Sequence, residues 1–244
     1  MILAKYLEEL NRWYGSIQAD NCCDGIRILK QIKTKLGLTF VSEPEGVGNV
    51  CFADSPEVRD DYKQTFGPMD LLDYIYAVLH SPSYREMYKE FLKIDFPEVP
   101  YPENAATFWQ LVHLGGELRQ LHWLESPKVK DYITSYPEDG SNEITTKISK
   151  KDWETIFPSS EDSGEAGRIW INQTQYFDKI PLTAWELHFG GCQPAQKWLK
   201  DRIGRTLDFG DILDYQKIIV ALLETDRIMK KIDALKISLE VGSG

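Results

Sequence analysis

At 244 residues the chain is long enough for one large domain or two small ones, and it can bury a core without disulfide or metal staples. A hydrophobic content of 42% and a charged content of 27% are ordinary for a soluble globular protein and exclude wholesale disorder. The formal charge of -10 excludes indiscriminate coating of nucleic acid, which needs broad phosphate neutralisation, but it permits a local basic face. Cysteines 22, 23, 51 and 192 form neither a CxxC pair nor a Cys/His ligand spacing, so no zinc site is expected. The opening "MILAKYLEELNRWYG" has no signal-peptide apolar run, and no stretch of about eighteen apolar residues occurs. The expectation is a cytoplasmic protein with reduced thiols and no membrane contact.

In chain order, residues 1–35 read as helix, with apolar residues three and four apart in "YLEELNRWY" and "GIRILKQIKTKLG" and Gly37 as a stop. Residues 38–68 read as a connector with one short strand. A helix opens at Asp70, taken as its N-cap, and is interrupted at Ser81-Pro82, where the serine can cap a second helix running to Lys93. "DFPEVPYPEN" is extended, and a further helix runs from near Asn104 to before Pro127. Between 128 and 190, "KVKDYITSY", "EITTKI", "GRIWIN" and "AWELHF" have the β-branched, alternating pattern of short strands, while "SSEDSGEAG" is too polar to pack. Pro194 suits a helix start and Gly204 a helix end, and residues 208–236 form a long amphipathic helix. The fold class is α+β: mainly helical, with a small, mostly antiparallel β region in the middle and a long C-terminal helix. The division expected is an N-terminal helical segment and connector over 1–64 and a second domain over 65–244.

Catalytic signatures are missing. The sequence has no Gly-x-Gly-x-x-Gly, Walker loop, Gly-x-Ser-x-Gly elbow or His-Glu-x-x-His, and no Glu-x-Lys of the kind restriction nucleases use. "PEGVGNV" lies between no clear strand and helix, and the four histidines are scattered. The stretch "GGCQPAQKWLKDRIGRTL" differs from its surroundings. Lys197, Lys200, Arg202 and Arg205 face a single acid, Asp201, a local charge of four minus one, or +3. Lys197 and Lys200 share a helix face, while Trp198 and Leu199 point toward the core. Gln193 and Gln196 carry paired donors and acceptors of the kind that read adenine edges. Backbone amides after the glycine pair favour an anion. An ordinary surface helix with cations in its last turn fits the same letters.

Two longer blocks narrow the choice. "DLLDYIYAVLHSPSYREMYKEFLKIDFPEVPYP" and "RIWINQTQYFDKIPLTAWELHFGGCQPAQKWLKDRIGRTLDFGDILDYQKIIVALLETDRIMKKID" resemble the C-terminal target-recognition (specificity) region of type ISP-like restriction–modification enzymes and related adenine-specific DNA methyltransferases. The resemblance covers about residues 65–125 and 165–235, in the family's order. It implies recognition of double-stranded DNA in cis with a methyltransferase catalytic domain that holds S-adenosylmethionine. The Asn-Pro-Pro-Tyr type loop of that domain is not in these residues, so the chain is expected to be a fragment, a split subunit or a stand-alone relic, non-catalytic by itself and without a cofactor of its own. It departs from the family pattern at Glu98, where a basic residue is usual, and at Cys192, where an aromatic is.

On that basis Lys197, Lys200, Arg202 and Arg205 are expected at phosphates, and Gln193, Gln196, Asn172 and Gln173 at base edges. The alternative is a docking module that packs on a methyltransferase or partner subunit without touching DNA. An independent enzyme has only unassigned polar residues in its favour.

Overall fold

The computed structural model describes residues 23–41, 64–90, 99–156, 165–189 and 191–237. The helix read from "YLEELNRWY", the pieces "NVCFA" and "DFPE", most of the "SSEDSGEAG" loop and Gly190 lie outside those residues. The chain divides into two compact units, residues 1–119 with 229–244, and residues 120–228. Among the described residues the architecture is α+β, as the composition of elements implies: helices dominate, a three-stranded antiparallel sheet sits in the second unit, and the last helix is the longest.

The first unit contains α1 (Cys23–Leu36), β1 (Thr39–Phe40) and β2 (Thr65–Phe66), which pair in parallel, and then α2 (Pro68–His80), α3 (Pro82–Met87) and most of α4 (Ala105–His122). α2 begins two residues before the expected cap. Pro68 occupies the first turn, where its missing N–H costs nothing, and the Asp70 carboxylate reaches back to accept from the Gly67 amide at 2.7 Å. Asp70 is therefore the third helical residue, not the cap. Ser81 both ends α2 and caps α3, its hydroxyl accepting from the Tyr84 amide at 3.3 Å. Asn104 caps α4 through the Thr107 amide at 2.9 Å.

What brings α2 against α4 is the absence of side chains at Gly115 and Gly116. A Cβ on Gly115 would lie 1.8 Å from the Asp73 carbonyl oxygen, so α2 passes directly over a bare helix surface. That approach places the buried Asp73 carboxylate against Arg119 in a two-pronged ion pair at 2.7 and 3.0 Å. Phe66, Tyr74 and Phe108 fill the space beside it, with ring centroids 5.4 to 5.6 Å apart.

The second unit is built around β3 (Trp153–Ile156), β4 (Ala166–Trp170) and β5 (Tyr176–Pro181), in that spatial order. Ile169 faces the core, and so do Phe177 and Ile180, because a register shift opposite Gly167–Ile169, with Lys179 at φ 60°, interrupts the alternation of β5; the three meet Leu199, Tyr215 and Ile219. α5 (Leu182–Glu186), α6 (Pro194–Lys200) and the start of α7 (Phe209–Ala234) cover that face. α7 opens on a reciprocal box: Asp208 accepts from the Asp211 amide at 2.8 Å, and the Asp211 carboxylate accepts from the Asp208 amide at 3.3 Å.

Three of the four expected strands take other forms. "KVKDYITSY" starts as a 3₁₀ turn, Pro127–Lys130, because Pro127 sets its first dihedral and only Val129 is needed in the core. "EITTKI" wraps: the amides of Thr145 and Thr146 both donate to one carbonyl, that of Ile171, at 2.9 and 3.0 Å. "AWELHF" contributes to α5, which turns the chain directly after Pro181 and buries Trp185. Only "GRIWIN" is a strand, and its partners β3 and β5 are too charged to announce themselves.

The irregular arm 136–144 is held by one buried amide, that of Gln175. Its Oε1 accepts from the Asn142 backbone at 2.7 Å and from Asn172 Nδ2 at 2.9 Å. Its Nε2 donates to the Glu138 carbonyl at 3.0 Å and to Asn142 Oδ1 at 2.7 Å. All four valences of the amide are filled. Asn142, in the left-handed region at φ 56°, then passes the constraint on: its carbonyl accepts from the Leu207 amide at 2.9 Å, and Ile144 exchanges bonds with Gly204 and Arg205.

His122 closes the second unit's helical side. The Thr225 hydroxyl gives its proton to the Ala221 carbonyl at 2.7 Å, so the imidazole Nε2 must donate to it at 2.9 Å. Burial pushes the His122 pKa down to about 4.

Three outcomes follow. Gly115→Ala forces backbone against backbone and lowers the unfolding free energy by at least about 2 kcal/mol, more than Gly116→Ala, in urea denaturation. Gln175→Ala breaks four hydrogen bonds, one of them to the buried Asn172, and costs about 3 kcal/mol by the same measurement. His122 is held neutral when folded and titrates near its ordinary 6.5 when unfolded, so the unfolded state alone takes up a proton between about pH 6.5 and about pH 4. Stability from this group therefore falls on acidification across that window, by up to about 3 kcal/mol, and the deficit of His122→Gln relative to the parent should shrink between about pH 7.5 and about pH 5.

Candidate nucleic-acid interface

α6 is short, and its position is set by what precedes it. Gly191, at φ 78°, supplies a left-handed turn that lets Phe189 and Cys192 exchange backbone hydrogen bonds at 2.8 and 2.9 Å. Pro194 then starts the helix, Leu199 is fully buried, and Trp198 packs on Tyr215 with centroids 5.0 Å apart. Gly204, at φ 77°, ends the segment as its sequence position suggests.

The two glutamines of this helix lie beneath its surface. Gln193 is 8% and Gln196 2% exposed. Gln196 Nε2 donates to Gln193 Oε1 at 2.6 Å, and Gln193 Nε2 donates to the Trp185 carbonyl at 3.4 Å. The Trp185 indole donates in turn to the Lys150 carbonyl at 3.3 Å, while Lys200 donates to Gln196 Oε1 at 3.4 Å. The glutamines thus form a bonded floor joining two lysine-bearing segments. Asn172 is likewise internal: its Oδ1 accepts from the amides of Thr174 and Gln175, and its Nδ2 donates to the Glu143 carbonyl and to Gln175. For these three amides, contact with a base edge would require breaking bonds that hold the unit together. Gln173, by contrast, is exposed at the tip of the β4–β5 hairpin, with no side-chain partner among the described residues.

The four cations separate in the same way. Arg202 lies flat over Trp198, its guanidinium carbon 3.6 Å from the ring centroid, donates to the Trp198 carbonyl at 3.2 Å and pairs with Asp211 at 3.4 Å. It fastens the end of α6 to the start of α7. Lys197 bonds Asp201 at 2.7 and 2.9 Å on an exposed surface, and that hydrogen bond raises the Lys197 pKa. Lys200 and Arg205 are exposed, and the Arg205 guanidinium has no partner among the described residues. Arg205 is nonetheless fixed in place, because its carbonyl accepts from the Ile144 amide at 3.0 Å.

A shallow groove of about 370 Å³ runs along this surface, lined by Lys150, Gly191, Cys192, both glutamines, Lys197, Lys200 and Asp201. Lys150 comes from the 3₁₀ turn Lys150–Asp152, more than forty residues upstream of α6, and nothing in its local sequence distinguishes it from Lys147 or Lys151. Among the described residues no group of three or more His, Cys, Asp or Glu could hold a metal ion, and no helix is long and apolar enough to cross a membrane.

Comparison with solved structures returns DNA-bound assemblies at low similarity. A DrdV–DNA complex aligns at 22% identity with a TM-score of 0.49, covering 67% of this chain and 18% of that one. The ATP-dependent Type ISP restriction-modification enzyme LlaBIII bound to DNA aligns at 19% identity with a TM-score of 0.49, covering 78% of this chain and 13% of that one. A nuclease-deletion mutant of the Type ISP enzyme LlaGI with a DNA substrate mimic aligns at 19% identity with a TM-score of 0.46, covering 67% and 13%. The chain therefore spans less than a fifth of the length of each of these proteins. No curated protein matches it. The decisive match is to a family model, the Type ISP C-terminal specificity domain, over residues 27–231, which is most of the chain and includes the whole second unit, much of the first, the groove and the Gln175 clasp. The chain belongs to the Type ISP C-terminal specificity domain family.

Proposed function

We propose that this chain is the DNA target-recognition module of a bacterial adenine-specific DNA methyltransferase or single-chain restriction–modification enzyme. The observation that carries the reading is the match of residues 27–231 to a specificity domain. The exposed cations of α6 and the loop after it supply the means. Lys197, Lys200 and Arg205 contact phosphates, which position the protein on the duplex, and Gln173 at the hairpin tip contacts a base edge. Arg202 serves as the anchor that keeps α6 on α7. Gln193, Gln196 and Asn172 hold the cations and the hairpin in place from beneath.

Methyl transfer belongs to a catalytic domain acting with this one, and S-adenosylmethionine to that domain. These 244 residues contain neither Asn-Pro-Pro nor Asp-Pro-Pro. The partners are double-stranded DNA and that catalytic domain, and the compartment is the cytoplasm.

The test is a fluorescence titration of duplex DNA against the purified chain across a range of salt. The triple variant Lys197→Gln, Lys200→Gln, Arg205→Gln should bind more weakly, with its salt slope lowered by about one for each phosphate no longer neutralised. Arg202→Gln should act mainly on stability. A triple variant with the parent's affinity and slope would refute the assignment of these three cations.

A further inference from the structure

We infer that the groove between the 3₁₀ turn at Lys150 and α6 seats one phosphodiester of the DNA backbone, with Lys150 as a phosphate ligand that the local sequence conceals. The inference rests on the target-recognition reading above and adds to it the place where the backbone lies. Three lysines line this groove against one acid, Asp201, giving a local charge of three minus one, or +2, in a chain whose total is -10. The two bonded glutamines form its floor and the partly buried Cys192 completes the lining, so the groove offers cations over a polar floor and no large apolar side chain. Its volume of about 370 Å³ admits a phosphate with part of its flanking sugars. An apolar ligand would find little to bury there.

The lysines are held for the purpose by different means. Lys200 rests on Gln196 at 3.4 Å, and the Gln196–Gln193–Trp185 relay ends on the Lys150 carbonyl, so the two sides of the groove are tied through its floor. Lys150 Nζ lies 3.3 Å from the exposed His188 Nε2, which can accept from it only when neutral. Lys197 pairs with Asp201, a surface pair with both side chains about half exposed. Such pairs contribute little, so an incoming phosphate can replace Asp201 on Lys197 at small cost. Arg202 takes no part, since its guanidinium is stacked on Trp198.

Two neighbouring lysines make the experiment specific. Lys150→Gln removes a groove charge and keeps the backbone carbonyl that Trp185 needs, while Lys151→Gln removes a neighbouring exposed charge that does not line the groove. In duplex titrations at low salt, Lys150→Gln should weaken binding roughly threefold to tenfold and lower the salt slope by about one, with Lys151→Gln close to the parent. As an independent readout, duplex DNA should slow maleimide labelling of Cys192, followed by peptide mass spectrometry, and millimolar inorganic phosphate should not. Equal weakening by the two variants, or Cys192 labelling unaffected by bound duplex, would overturn the groove while leaving DNA recognition standing. Protection by inorganic phosphate as strong as by duplex would reassign the groove to free anions. A parent chain that binds no duplex at any salt would overturn the target-recognition reading and this inference together.

Discussion

The second unit depends on the saturated amide of Gln175. A primary amide buried without partners is expensive, and one with some valences open is a weak point. With all four filled, it becomes a directional joint that no apolar residue could replace. The joint ties the β4–β5 hairpin to the irregular arm 136–144, and the arm ties down the loop that follows α6. The exposed Arg205 and the capped start of α7 therefore inherit their positions from a residue some thirty positions upstream. Gly140 belongs to the same joint, since a Cβ there would meet the Gln175 carboxamide at 2.6 Å.

The legible parts of this fold were those decided locally. Pro194 and Gly204 bracket α6 because a missing donor and a permitted positive φ are properties of single residues. Ser81, Asn104 and the long apolar stripe of α7 could be read for the same reason. The β region resisted because its strands are short and carry their apolar residues beside charges: "WETI" and "YFDKIP" look no more like strands than "EITTKI", which is not one. Only tertiary pairing separates them.

The same boundary runs through the candidate site. A cluster of four cations is visible in the letters 197–205, but which of them face solvent is decided by neighbours far away in sequence. Asp211 and the Trp198 ring withdraw Arg202, and the floor beneath α6 brings Lys150 alongside instead. The glutamines show it most plainly. An amide that can read a base edge has the same donors and acceptors as one that can brace a helix, and at positions 193 and 196 the amides are buried and bonded within the fold. An acidic chain can carry a basic face because screening confines each charge to a neighbourhood of about 10 Å at moderate salt.

The β4–β5 hairpin closes through Asn172 and Gln175, whose side chains do the work of the turn from below and leave Gln173 outside with no internal duty. Position 173 is thus uncoupled from folding: it can change its chemistry, size or charge while the joint beneath it stays intact. On the target-recognition reading proposed above, such a position is where new preferences can be acquired by a single substitution, with the scaffold keeping its stability as the letter above it changes.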